Sequence, residues 1–547
     1  MKLVSVPEMR AIEQEANANG LTYDMMMENA GHNLAREVLR LSYFAGDGEE
    51  DAQVLGLVGS GNNGGDTLVA LAYMAEKGWT ARAYLIKRKA TDDPLLARFE
   101  EAGGELYQAE ADEKFQQLQS FLEAADIVLD GVLGTGFQLP MKEDAGQVLS
   151  AVQGFLGVLE WPPTVVAVDC PSGVDCDSGA AASQTIPADA TVTMAAMKRG
   201  LLKLPAYNLI GELRVVEIGP LDELNSWRLI QNDVADEQMA VALLPERPAD
   251  AHKGTFGTAL VVAGSVNYTG AALLAGKAAY RAGAGLVTLA VAEPLHRVLA
   301  GQLPEATWVL LPHDTGVIAS GAADVLVKNM ERATALLIGP GFGLEDTTGE
   351  FLANLFRRAA ARPAPGRMGF VPSAGVKTDP KPVALPALVL DADGLKLLSK
   401  LSDWPRLLPA STILTPHPGE MSVLTGLKVE EIQKDRLEIA SRYAREWGHI
   451  VVLKGAFTVV AAPDGRTTTI PVATPALARA GTGDVLAGLI VGLRAQGVDA
   501  YDAARLGAWI HVQAGLLAAE SLGSTAALLA GDVLDAIPKV MAGLGKG

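Results

Sequence analysis

The chain has 547 residues, a formal net charge of -19 and 49% hydrophobic residues. That length exceeds what one ordinary core serves, so at least two domains are expected, and the hydrophobic content excludes a disordered chain. The acidic balance argues against nucleic acid or an anionic membrane as a partner. It leaves phosphorylated ligands open, because helix N-termini and glycine turns bind phosphate without a basic surface. Two cysteines, Cys170 and Cys176, make no disulfide framework, and seven scattered histidines show no zinc spacing. No apolar run reaches the roughly 18 residues of a membrane span, and the opening "MKLVSVPEMRAIEQEA" has no leader-like apolar region. A mature, cytoplasmic protein is expected.

In chain order, short β-branched runs alternate with longer helical patterns, which points to parallel α/β sheets. Strands are expected at Val54–Val58, Arg82–Ile86, Asp126–Leu129, Thr164–Val168, Thr191–Met194 and Leu213–Ile218, and Met25–Met27 reads as the core side of a helix. "LGLVGSGNNGGDTLVALAYMAEKG" reads as strand, glycine turn and helix, the layout of a phosphate site in a doubly wound sheet. It is not a clean G-x-G-x-x-G and lacks a P-loop lysine. On pattern alone, a structural turn N-capped by Asp66 explains it equally well. "DIVLDGVLGTGF" ends a strand at Asp130, and "VVAVDCPSGVDCDSG" ends another at Asp169 before Ser172. One such acid would cap a turn. Three strand ends of this kind converge at the carboxyl edge of one sheet, where ligands bind and a partly buried acid can move protons.

A polar, proline-flanked stretch near residues 219–230 marks a boundary and divides the chain into 1–225 and 226–547. Beyond it strands are expected at Thr258–Ala263, Leu286–Val291, Ala335–Ile338, Leu388–Leu390, Thr412–Leu414, Ile450–Leu453 and Thr458–Ala461, with an exposed Pro/Gly-rich loop over residues 361–386. Taken singly, His417 reads as a packed or exposed histidine, Lys454 as a turn charge and Gly339–Gly343 as a strand-to-helix turn. The stretch "AGTGDVLAGLIVGL" is harder to dismiss. Backbone N–H groups at a helix start can hold a transferring phosphoryl group, and Asp484 beside them can accept a hydroxyl proton. Asp484 as a plain complement to the helix dipole is the competing reading.

"GNNGGD", "DGVLGTGF" and "VAVDCPSGVDCDSG", in that order over about residues 1–220, resemble the NAD(P)H-hydrate epimerase family. The resemblance implies a Rossmann-like three-layer sandwich that interconverts the R and S epimers of hydrated NADH and NADPH. It implies a potassium ion on Asn63, Asp130 and Ser172. It also implies hydrate contacts at Asn62, Asn63, Gly64, Gly65 and Asp66 and at Gly134, Thr135, Gly136, Phe137, Gln138, Leu139 and Pro140. Asp169 becomes the substrate-binding acid, taken here as the proton-transfer group. Thr67 departs from the family, which often has glycine there.

"HKGTFG", "VAGS", "TPHPGE", "LKG" and "AGTGDVLAG", over about residues 240–547, resemble the NAD(P)H-hydrate dehydratases of the ribokinase-like superfamily. The resemblance implies a ribokinase-like α/β domain that phosphorylates the S hydrate and eliminates phosphate, with magnesium and ADP, releasing AMP. Asp484 is then the candidate base and a hydrate contact, with His417, Gly343 and Ala271 as further hydrate contacts. Lys454, Gly455, Ala456, Phe457, Thr458 and Gly483 would hold the nucleotide. Together the halves imply a bifunctional, homo-oligomeric repair enzyme. Two rivals remain: a ribokinase-like kinase of a small vitamin-precursor alcohol, and an N-terminal half that is only a nucleotide-binding or assembly module.

Overall fold

The apolar run at Gln53–Val58 is buried on both sides because helices cover both faces of its sheet. Val54 and Val58 pack with Leu71, Met74 and Phe99, while Leu55 and Leu57 pack with Leu118, Leu149 and Val152. The computed structural model describes residues 1–45, 52–89, 92–360 and 383–545. The chain divides into two units, Met1–Asn232 and Asp233–Gly547.

In the first unit seven parallel strands lie in the order Glu105–Gln108, Thr80–Leu85, Gln53–Val58, Ile127–Gly131, Thr164–Val168, Ala190–Met194 and Glu212–Val216. The order reverses between Gln53–Val58 and Ile127–Gly131. Loops leaving those two strands therefore diverge and open a crevice at their carboxyl ends.

The second unit repeats this order. Its parallel strands run Thr307–Leu311, Leu286–Ala292, Thr258–Val262, Ala335–Ile338, Ala387–Leu390, Ile413–Leu414 and Ile450–Leu453. Val459–Ala461 and Thr467–Thr469 add antiparallel, and Asn232–Val234 closes that edge. Val261, Leu337 and Val452 face one helical layer with Leu489 and Ile510, and Val262, Ile338 and Leu453 face the other with Phe351 and Ala444. Both units are three-layer α/β/α sandwiches, as the resemblance implies for the first, and the second is an α/β domain as expected.

The helix Thr482–Ala495 is held at backbone distance from the helix Thr269–Arg281. A Cβ on Gly488 would lie 2.3 Å from the Ala275 carbonyl oxygen, and one on Gly492 2.6 Å from that of Ala279. Glycines that weaken a helix on its own here set where its first turn sits.

Several expectations change. The edge strands Glu105–Gln108 and Thr307–Leu311 were not expected: "ELYQ" gives no continuous apolar run, whereas "TWVLL" does carry one. The units divide at 232/233, some residues past the sequence boundary. Met26 is buried, but Met25 is 50% exposed, so the methionine run is not core throughout. Of the loop over 361–386, residues 361–382 lie outside the described residues. Among the described residues no helix is long and apolar enough to cross a membrane.

Candidate active sites

After Val58 the chain turns through Gly59–Gly61 and enters the helix Asn62–Glu76, with Gly61 at its N-cap. Close approach demands the glycines: a Cβ on Gly64 would sit 2.0 Å from the Gly59 carbonyl oxygen, and one on Gly59 2.0 Å from that of Val132. Arg88, bound to Asp93 at 2.8 Å, donates to the Gly59 and Gly61 carbonyls at 3.2 and 3.4 Å and braces the turn. Asp66 is the fifth residue of the helix, so it is not the N-cap. Burial, reinforced by the charges of Asp169 and Glu13, holds its carboxyl well above the usual carboxylate range.

Asp169 follows Val168 with a φ of 65°, a left-handed conformation uncommon outside glycine. Its Oδ1 accepts from the Thr193 hydroxyl and the Met194 N–H, both at 3.0 Å, and pairs with the Lys198 ammonium. Lys198 is 1% exposed and also donates to Thr193 Oγ1 at 3.0 Å and the Met194 carbonyl at 2.8 Å. Three acceptors exhaust the three donors of the ammonium, so it holds Asp169 in one orientation. Glu13 is pushed up by burial, with Lys198 pulling the other way. A cavity of about 520 Å³ includes Glu13, Arg10 and Gly61 in its wall.

Asp130 is the next-to-last residue of the strand Ile127–Gly131 and is fully buried. Its Oδ2 accepts from the Ser172 N–H at 2.8 Å, while Oδ1 has no partner. The Ser172 hydroxyl accepts from the Leu133 N–H at 2.8 Å, and the Asn63 amide donates to the Val168 and Leu133 carbonyls at 2.6 and 3.2 Å. Burial raises Asp130, against the Ser172 hydrogen bonds. A buried carboxylate oxygen without a partner costs free energy that a bound cation offsets. Among the described residues no group of three or more His, Cys, Asp or Glu could hold a metal ion. One carboxylate amid hydroxyl, amide and carbonyl oxygens suits a monovalent cation better than a divalent one.

In the second unit Gly481, with φ of 90°, caps the helix Thr482–Ala495. The Thr482 hydroxyl donates to the Leu477 and Arg479 carbonyls, both at 2.9 Å, and fixes the turn. Asp484 lies in the first helical turn. Burial, with the Asp391 charge adding to it and Lys454 opposing, pushes its carboxyl up to about 7. Such a group is poised for general-base work near neutrality. Asp391, 1% exposed, accepts on Oδ1 from the Thr415 hydroxyl and the Lys454 ammonium, both at 2.6 Å, and its Oδ2 is unpartnered. Lys454 also lies 3.8 Å from Glu420. Burial pulls its ammonium down, but Asp391 and Glu420 outweigh it and hold it above its usual value.

His417 caps the helix Pro418–Thr425: its Nδ1 accepts from the Gly419 and Glu420 N–H groups at 3.0 and 3.3 Å, and Glu420 accepts from its N–H at 2.9 Å. An Nδ1 that accepts leaves the proton on Nε2, 3.3 Å from Glu420. A cavity of about 440 Å³ is lined by Lys454, Gly455, Ala456, Thr458, Thr482 and Gly483 among others. His511, also in its wall, is pushed down to about 4 by burial.

Of the expected contacts in the first unit, Asn62, Asn63, Gly134, Thr135, Gly136, Phe137, Gln138 and Pro140 line the cavity. Leu139 is exposed, and Gly64, Gly65 and Asp66 pack behind the wall. In the second unit His417, Lys454, Gly455, Ala456, Thr458 and Gly483 line the cavity, whereas Phe457 is buried. Ala271 and Gly343 lie outside that wall: Ala271 packs on Gly341, and the Gly343 N–H donates to Asp393 at 3.0 Å. Sequence reasoning missed Glu13, Lys198, Asp391, Asp393, Glu420 and His511 as site residues. "LVLDADG" carried a usable signal for Asp391, since it repeats the strand-then-acid pattern of "DIVLDG" and "VAVDC".

Residues 259–539 match the family described as NAD(P)H-hydrate dehydratase, and residues 23–200 match the YjeF-related protein N-terminus family. A bifunctional NAD(P)H-hydrate repair enzyme from Moorella thermoacetica is 35% identical over 100% of this chain and 97% of its own length. One from Salinibacter ruber is 36% identical over 96% of this chain and 93% of its own. A solved ADP/ATP-dependent NAD(P)H-hydrate dehydratase from Bacillus subtilis is 33% identical, covering 57% of this chain and 98% of its own, with a TM-score of 0.46. Full-length likeness across both units shows that the chain belongs to the family of bifunctional NAD(P)H-hydrate repair enzymes.

Proposed function

We propose that the first unit interconverts the R and S epimers of hydrated NADH and NADPH, and that the second dehydrates the S epimer at the expense of ADP. The observation that carries this reading is an acid in each unit of a full-length family member: Asp169, paired with Lys198 just past the strand Thr164–Val168, and Asp484, in the first turn of the helix Thr482–Ala495.

In the first unit Asp169, oriented by Lys198, takes the hydroxyl proton of the hydrate. The ring C–N bond then breaks as that proton passes to the leaving nitrogen, giving an aldehyde and an amine, and reclosure on the other face of the aldehyde moves the proton from nitrogen back to oxygen and inverts the carbon. Asp130, Ser172 and Asn63 would hold a potassium ion, which would supply positive charge to the site. Asp66 and Glu13, both held above the usual carboxylate range chiefly by burial, limit the negative charge around Asp169.

In the second unit Asp484 accepts the hydroxyl proton as that oxygen attacks the terminal phosphorus of ADP, and the bond to the AMP oxygen breaks. The turn Gly481–Gly483 and Lys454 meet the phosphates. The ring nitrogen lone pair then expels phosphate, and loss of the neighbouring C–H proton restores the double bond. Phosphate leaves far more readily than hydroxide. Magnesium arriving with ADP supplies charge to the phosphate oxygens. A small-alcohol kinase would leave the first site without a task.

The test mixes both epimers of hydrated NADH with the protein, magnesium, potassium and ADP, and follows the return of reduced-nicotinamide absorbance. Recovery of the whole pool is expected. A stall with only the R epimer left removes the epimerase assignment, and no recovery with ADP or ATP removes the dehydratase.

A further inference from the structure

Arg436 opens the helix Arg436–Trp447, close to the carboxyl end of the strand Ile450–Leu453 that leads into Lys454. A cation is at a disadvantage there, because a helix N-terminus is the positive end of its dipole. Burial pushes the guanidinium down to about 10, and no carboxylate among the described residues offsets that. Lys454 is the opposite case, its ammonium neutralised by Asp391 and Glu420.

What Arg436 binds instead is backbone. Its Nη2 donates to the carbonyls of Leu453 and Lys454 at 2.7 and 3.1 Å, its Nη1 donates to Gln433 at 2.6 Å, and its Nε is buried without a partner. Gly455, with φ of 138°, lies against the guanidinium: a Cβ there would be 3.2 Å from Nη2. Beyond it the turn closes on itself, the Gly455 N–H donating to Thr458 Oγ1 at 3.2 Å and that hydroxyl donating to the Gly455 carbonyl at 2.9 Å. Lys454, Gly455, Ala456 and Thr458 line the cavity, and Arg436 is not part of its wall.

We infer that Arg436 is a positioning residue of the nucleotide site, fixing the Lys454–Gly455 turn through two carbonyls and leaving its own charge to be countered by the phosphates of ADP. The inference rests on the proposed nucleotide site. A cation with no carboxylate is relieved when an anion arrives, and the relief grows with the charge of that anion. ADP should therefore depend on Arg436 more than AMP does.

The experiment titrates AMP and ADP calorimetrically into the full chain and into Arg436→Met and Arg436→Lys, and measures dehydration by each. Arg436→Met is expected to weaken ADP about ten-fold or more and AMP by less than about three-fold. It should raise KM for ADP while kcat stays within about three-fold. Arg436→Lys should restore much of the difference between ADP and AMP but not the full affinity, because it lacks the planar fork. Equal weakening of AMP and ADP, or unchanged ADP affinity, overturns the charge role. If Arg436→Met does not fold, judged by lost cooperative unfolding of the second unit, the lysine variant decides by the same comparison. Wild-type protein that binds no ADP would instead overturn the nucleotide site itself.

Discussion

Asp484 is placed where it weakens the fold. Its carboxyl, pushed up to about 7 mainly by burial, holds its proton more tightly in the folded chain than in the unfolded one. The stability linked to that proton is present below the ordinary carboxylate value and is lost as pH rises toward 7. Above 7 the ionised group is a net cost. As the proposed base, it needs the ionised form, so dehydration should rise with pH through about 7 and level off above it. Asp484→Asn should lower dehydration by about 10²–10⁴. It should also stabilise the second unit by about 1–2 kcal/mol at pH 8, with the gain fading toward pH 4. Denaturant unfolding at the two pH values checks this, and a variant less stable than wild type at pH 8 contradicts it.

At the scale of elements, glycine spacing sets the turn that the first crevice depends on. Gly64→Ala would drive a Cβ to 2.0 Å from a backbone oxygen, whereas a Cβ on Gly61 meets nothing within 4 Å at an ordinary φ of -95°. The first substitution should destabilise by roughly 2 kcal/mol or more and abolish epimerisation; the second should shift stability by about 0.5 kcal/mol or less. Equal effects would show that the turn tolerates opening. These turns were legible in the sequence because the motif is local, and so were the central strands, whose double-sided burial makes unbroken apolar runs. The edge strand Glu105–Gln108 was not, since "ELYQ" has neither alternation nor an apolar run. Lys198 and Arg436 were not legible either. Lys198 meets Asp169 across 29 residues of sequence, and Arg436 meets Leu453 across 17, so neither leaves a local pattern.

For the whole molecule, each unit has its own hydrophobic core, its own switch point and its own acid. Each sheet runs third, second, first, then fourth to seventh in chain order of its parallel strands. The strand order recurs in both, but the cavities do not sit alike: the first is lined by the loops after the two strands of its switch point, the second by residues that follow Ile413–Leu414 and Ile450–Leu453. Two self-contained sites predict two separable activities. Asp169→Ala should consume the S hydrate at an unchanged rate and stall on the R hydrate, apart from slow spontaneous epimerisation. Asp484→Ala should equilibrate the two epimers and return no reduced nicotinamide. Because the hydrate is a free small molecule, a mixture of the two variants should recover the whole pool, at a rate that rises with the concentration of either. Chromatographic separation of the epimers during turnover follows each step. Loss of both activities in either folded variant, or a mixture no better than Asp169→Ala alone, would mean that one crevice depends on the acid of the other and that two independent sites are the wrong description.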